Sequence, residues 1–124
     1  MAKERRKHKR AVLQIPIDML SLDEAAKTFT AKTVNLSAGG FYCRLPFFIP
    51  VLTKLKISMV IPSTDISGKL EDHVITCEGM VVRTVPDKPK PRTKAYEIAC
   101  FFTDIDDYDR LIIEQYLHEK ALSK

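Results

Sequence analysis

The sequence predicts a mainly β domain of about six short antiparallel strands, closed as a barrel or sandwich and followed by one C-terminal helix. Three observations predict it. From residue 11 to residue 102, apolar and polar residues alternate in short runs separated by Pro, Gly, Ser and Asp. From residue 104 onward the apolar spacing becomes helical. A chain of 124 residues, 45% apolar and 29% charged, suits one globular domain with a single core that needs no disulfide or metal.

The elements follow in order. In "AVLQIPIDML" (11–20), Leu13, Ile15 and Ile17 share one parity, so the run reads as a strand, with Pro16 marking an edge or a bulge. "SLDEAAK" reads either as a helical turn, since Ser21 and Glu24 have capping-box spacing, or as a turn between strands. "TFTAKTVNL" (28–36) is a strand, broken by "SAGG". "FYCRL" (41–45) is a short strand that ends at Pro46. In "TKLKISMVI" (53–61), Leu55, Ile57, Met59 and Ile61 face one way and Lys54, Lys56 and Ser58 the other, a half-exposed strand. "IPSTDISGKLED" (61–72) reads as loop, and "HVITCEGMVVRTV" (73–85) as a long strand bent or bulged at Gly79. "PDKPKPRT" is a stiff basic connector, and "KAYEIACFF" (94–102) is the last strand.

The helix spans about residues 104–122. Asp104 is its expected N-cap, and acids fill the first turn, where the helix dipole favours them. Ile105, Tyr108, Leu111, Ile112 and Tyr116 form the stripe expected to face the sheet. Ile113, Leu117 and Ala121 fall roughly opposite. They read either as scattered surface apolar residues or as a surface for a homodimer or another partner.

Residues 1–10 stand apart. They hold six Lys or Arg against one acid, Glu4, whereas the whole chain is only +4. They read as a flexible basic arm on a nearly neutral domain, residues 11–124. No apolar segment follows the arm, so a secretory leader is not expected, and no run is long enough to span a membrane. The simplest location is the cytoplasm. Cys43, Cys77 and Cys100 have no metal or disulfide spacing and read as buried reduced thiols.

No enzyme motif is present. The chain lacks a phosphate loop, a HExxH and a GxSxG, and "DIDDYD" lacks the spacing of a calcium loop. The expectation is a binding protein with no catalytic residue, metal or cofactor. "NLSAGG" (35–40) is the informative stretch. Period 2 places Asn35 and Ser37 on one face at a strand end, and Gly39 and Gly40 free the backbone beyond them. Two readings stand. One is a strand-terminating turn. The other is a rim whose donors and acceptors match a purine edge.

"RKHKR" (6–10) and "NLSAGG" together resemble the paired R-x-x-x-R and [D/N]-x-S-x-x-G motifs of PilZ domains, bacterial receptors for cyclic di-GMP. The resemblance extends through "VNLSAGGFYCRLP", "KLKISMVIP", "CEGMVVR", "YEIACFF" and "DIDDYDRL", from Glu4 to about Leu117. It implies a six-stranded antiparallel β-barrel with a C-terminal α-helix. It also implies cyclic di-GMP as the ligand, held by Arg6, Arg10, Asn35, Ser37 and Gly40. Gly39 is a further candidate. Arg5 and Lys9 are either auxiliary phosphate contacts or solvated charges. Asn35 stands where many members carry Asp and presents one carbonyl acceptor to guanine instead of two carboxylate oxygens, so weaker guanine binding is expected.

Arginine fits the proposed ligand because its fork pairs with phosphate oxygens and with guanine O6 and N7, and its plane stacks on a purine. In extended chain Arg6 and Arg10 face one side, about 13 Å apart. The implied output is contact with another protein, in motility, adhesion or polysaccharide export. Two competing functions are an adaptor that binds no nucleotide and a barrel that binds single-stranded nucleic acid. Against the latter, Phe41–Tyr42 and Phe101–Phe102 are adjacent pairs, so at most one ring of each faces outward to stack bases.

Overall fold

The structure, a computed structural model, describes residues 10–11, 14–22, 28–64 and 66–122. Arg5, Arg6, Lys9 and Leu13, and residues 23–27 of "SLDEAAK", lie outside them. Among the described residues, seven strands and one helix follow in order: β1 (Arg10–Ala11), β2 (Pro16–Ser21), β3 (Thr28–Ser37), β4 (Gly40–Leu45), β5 (Lys54–Thr64), β6 (Leu70–Val85), β7 (Tyr96–Asp104) and α1 (Asp107–Leu122). The strands pair in the order β3-β2-β5-β6-β7-β4, and β4 pairs back onto β3, closing a six-stranded antiparallel barrel. The predicted fold is the observed one.

The two-residue β1 adds to β3 beyond the end of β2. The run expected as one strand from residue 11 is therefore two. Across the break, the Ile15 N–H donates to Thr33 Oγ1 at 2.9 Å and the Thr33 N–H to the Ile15 carbonyl at 3.0 Å.

Alternation sets the core. Ile17 and Met19 of β2, Leu55, Ile57, Met59 and Ile61 of β5, Ile75 of β6 and Ile98 of β7 are buried inside the barrel. Burying each such side chain contributes about 1.5–3 kcal/mol. The expected loop at 61–72 is instead mostly a hairpin, with Ile61 to Thr64 pairing His73 to Leu70. β2 leaves β5 after Met59, and β7 joins β6 only at Glu78. Pro62 thus sits beyond the end of the β2–β5 pairing, where its missing N–H is tolerated. Gly79 lies at a β6–β7 bulge, as expected. A β-carbon there would meet Cys100 Sγ at 2.7 Å.

The helix corrects two expectations. It begins at Asp107, because Asp104 still pairs with Glu78 in the sheet. Asp106 caps it, its carbonyl accepting from the Arg110 N–H at 3.0 Å. The face turned to the barrel is the expected one only in part: Ile105, Ile112 and Tyr116 pack against the core as the stripe required, but its other two members do not. Ile113 is fully buried and Leu117 and Ile112 nearly so, while Tyr108 and Leu111 are exposed. The helix packs on β5, β1 and β3, and Ile113 and Leu117 belong to the core. They are therefore unavailable as a dimer surface; the Ala121 side chain lies outside the described residues. The first turn of α1 is tied to β6 by His73, whose Nε2 lies 2.9 Å from Asp109 Oδ1 and whose ring meets Tyr108 edge-on. No helix among the described residues is long and apolar enough to cross a membrane.

Candidate functional site

The β3–β4 hairpin carries "NLSAGG". Upstream, odd-numbered residues of β3 point inward, ending with the buried Thr33. A bulge then inserts Val34, so that Thr33 opposes Cys43 but Asn35 opposes Tyr42. The bulge reverses the alternation. Leu36 enters the core, fully buried, and Asn35 and Ser37 turn to the outer face together. Without the bulge, Asn35 would lie inside the barrel.

Ser37 opposes Gly40 across a two-residue turn. Its hydroxyl donates to the Gly40 carbonyl at 3.3 Å and accepts from the Gly39 N–H at 3.1 Å. The Gly39 carbonyl accepts from the Phe102 N–H at 2.9 Å, bracing the turn on β7. A β-carbon on Gly40 would lie 2.0 Å from the Cys100 carbonyl oxygen. Gly40 is thus required by the close approach of β7. These three residues build the strand-terminating turn, one of the two readings of the motif. Asn35 differs: its side chain is half-buried, and its Oδ1 is itself buried and has no hydrogen-bond partner, an unsatisfied acceptor.

Asn35 lines a concavity of about 340 Å³ on the outer face, together with Val34, Tyr42, Cys43, Arg83, Val85 and Glu97. The register explains its shape. Asn35, Tyr42, Ala99 and Arg83 are successive partners across β3, β4, β7 and β6. The small Ala99 keeps the floor low between Tyr42 and Arg83. Glu97 at its margin accepts from Arg44 Nε at 3.0 Å, an exposed cross-strand pair.

Of the residues singled out in the sequence, Asn35, Ser37, Gly39 and Gly40 come together on one hairpin. The backbone of Arg10 lies directly opposite Ser37 in the β1–β3 pair, so the last residue of the first motif adjoins the second. Arg6, Arg5 and Lys9 fall outside the described residues. Tyr42 and Arg83 were not legible as site residues, because bulges at Val34 and next to Arg83 shift which parity faces outward. The three cysteines are buried and unpaired, and burial pushes each thiol up to about 12. They are inert as nucleophiles.

The fold and hairpin define a small closed β-barrel with a helix at one end and a polar rim where the N-terminal segment joins the sheet. The chain belongs to the PilZ domain family, whose model matches residues 4–119. Solved structures agree in fold. The Bacillus subtilis inhibitor of motility MotI/DgrA superposes with a TM-score of 0.76 at 17% identity, over 98% of this chain and 54% of that one. MrkH of K. pneumonia in complex with c-di-GMP gives 0.65 at 17% identity, over 97% and 53%. The PilZ domain of Escherichia coli YcgR with c-di-GMP gives 0.55 at 16% identity, over 95% and 98%. The chain spans about half the length of MotI and MrkH. No curated protein matches it.

Proposed function

We propose that the chain is a cyclic di-GMP receptor module that signals by protein contact. The observation that carries this reading is the register of Arg10 opposite Ser37, which joins the two motif halves beside the concavity holding Asn35. In this reading Arg6 and Arg10 pair with phosphate oxygens or guanine edges, and the dinucleotide gathers the basic arm against the barrel. Asn35 Oδ1 accepts from a guanine N–H, which gives its unpartnered oxygen a role. Arg83 and Tyr42, on the same concavity, offer a further cation and a ring for stacking. Family membership and the two c-di-GMP complexes among similar structures support the ligand. The bound form would then act on a separate protein.

One observation favours the nucleotide-independent adaptor: the Ser37 hydroxyl is already engaged within its own turn. Titration calorimetry with cyclic di-GMP, GMP and a short single-stranded oligonucleotide separates the readings. Saturable heat is expected for cyclic di-GMP alone. No heat with it at high protein concentration would leave the adaptor, and heat only with the oligonucleotide would favour nucleic-acid binding.

A further inference from the structure

On the side of the barrel formed by β5, β6 and the end of β7, two shallow grooves share Leu22. One, about 290 Å³, is lined by Leu22, Val51 and Leu52 with Thr53 and Lys54. The other, about 390 Å³, runs on from Leu22 to Glu78, Asp104 and Asp106. The first end is apolar and exposed: Leu22 is 45%, Val51 50% and Leu52 71% accessible. Leu52 also has a φ of +71°, a left-handed backbone that disfavours any residue with a β-carbon. Its N–H donates to the Val81 carbonyl at 2.7 Å, so the backbone is held there while the side chain adds little to the core.

The second end carries uncompensated charge. Glu78 and Asp104 are direct cross-strand partners, a like-charge juxtaposition that destabilises a sheet. Asp106 lies in the same groove. Among the described residues none of the three forms an ion pair. Lys56 lines the same groove opposite Glu78 and is outnumbered by the acids. Exposed apolar surface, a disfavoured backbone and facing carboxylates each oppose stability, and all three adjoin one trough.

We propose that this trough is a docking site for a segment of a protein partner that presents a large apolar side chain beside Lys or Arg. The apolar end takes the former and the Glu78–Asp104–Asp106 end the latter. A second copy of this chain fits poorly. Its exposed basic loop, residues 86–94, has no large apolar residue among its cations, and where the exposed Leu70 and Leu111 stand beside Lys69 and Arg110 the backbone is already held in the β5–β6 hairpin and in α1. The site does not depend on the dinucleotide reading.

The test is an amide chemical-shift titration of the full chain with capped peptides Leu-Leu-Gly-Arg-Arg, Leu-Leu-Gly-Glu-Glu and Gly-Gly-Gly-Arg-Arg. Saturable shifts at Leu22, Leu52, Glu78 and Asp104 are expected with the first alone. Glu78→Gln and Asp104→Asn should each weaken that binding roughly fivefold while leaving the fold intact. Leu52→Gly should weaken it too, yet raise the unfolding midpoint, which a purely structural role for Leu52 would not produce. No saturable shift at millimolar peptide, equal response to all three peptides, or indifference to the variants would overturn the proposal. Concentration-dependent shifts of these amides in the protein alone would overturn it in favour of self-association.

Discussion

Arg10 and Ser37 sit directly across from each other in the β1–β3 pair, at the point where β3 turns into β4. Far apart in sequence, they are adjacent in the sheet. If the arm grips a dinucleotide at this rim, Arg10→Ala and Arg6→Ala should each remove charge-assisted hydrogen bonds worth about 1.5–3 kcal/mol, a loss of roughly ten- to a hundredfold in affinity. The urea midpoint should barely move. Calorimetry with cyclic di-GMP checks this, and wild-type affinity in both variants would detach the arm from the site.

Asn35 gives a prediction of opposite sign. Its Oδ1 is a single buried acceptor without a hydrogen-bond partner. Asn35→Asp supplies two carboxylate oxygens to the guanine N1–H and N2–H₂ donors. Affinity for cyclic di-GMP should rise by about 1 kcal/mol, roughly fivefold. Weaker binding would mean that Asn35 meets another part of the ligand or none of it.

The helix prediction concerns stability. Ile113 and Leu117 pack into the barrel end. Leu117→Glu should therefore destabilise the fold by about 4 kcal/mol or more, because it buries a charge without a partner. Tyr108→Glu and Leu111→Glu, on the exposed side, should stay within about 0.5 kcal/mol. Urea unfolding compares the three. A stable, well-folded Leu117→Glu protein would contradict the observed helix orientation.

These cases show what the sequence made legible. β5 has no bulge, so the alternation of Leu55, Ile57, Met59 and Ile61 could be read directly. Asn35 and Ser37 kept their shared face because the bulge at Val34 precedes both. Tyr42 and Arg83 were hidden because joining them to Asn35 requires the register across three strand pairs, with a bulge in two. The 61–72 hairpin was hidden because Pro62 breaks the strand pattern and Ser63, Glu71 and Asp72 place polar residues on both faces of the ribbon, which removes the period-2 contrast. The helix carries two apolar stripes, and the barrel takes Ile112 and Tyr116 from one and Ile113 and Leu117 from the other, a division that periodicity alone does not show.

The thiols predict a pH dependence. Burial raises Cys43, Cys77 and Cys100 from 9.0 to about 12 in the fold. A group raised on folding contributes stability fully below its unfolded value and loses it as pH climbs through the folded one. Unfolding free energy should therefore be insensitive to these thiols below about pH 8 and fall between 9 and 12. Urea midpoints at pH 8 and 10 for the wild type and for Cys43→Ala/Cys100→Ala check the sign. The double variant starts lower, and its decline should be shallower. An equal decline would assign the effect to other groups.

The turn itself separates fold from binding. Gly40→Ala drives a β-carbon into the Cys100 carbonyl, backbone against backbone, so the β4–β7 pairing must shift. The expected cost is about 3 kcal/mol, and any loss of ligand follows from damage to the barrel. Ser37→Ala removes only the hydroxyl bonds to Gly39 and Gly40, about 1 kcal/mol, and leaves Leu36 and Ala38 in the core. If Ser37 also contacts the dinucleotide, this variant should remain folded at 25 °C yet bind cyclic di-GMP roughly tenfold more weakly. Calorimetry on protein shown to be folded by its amide spectrum decides the matter. Unchanged affinity would confine Ser37 to bracing the turn and leave Asn35, on the same hairpin, as the contact that reads the base.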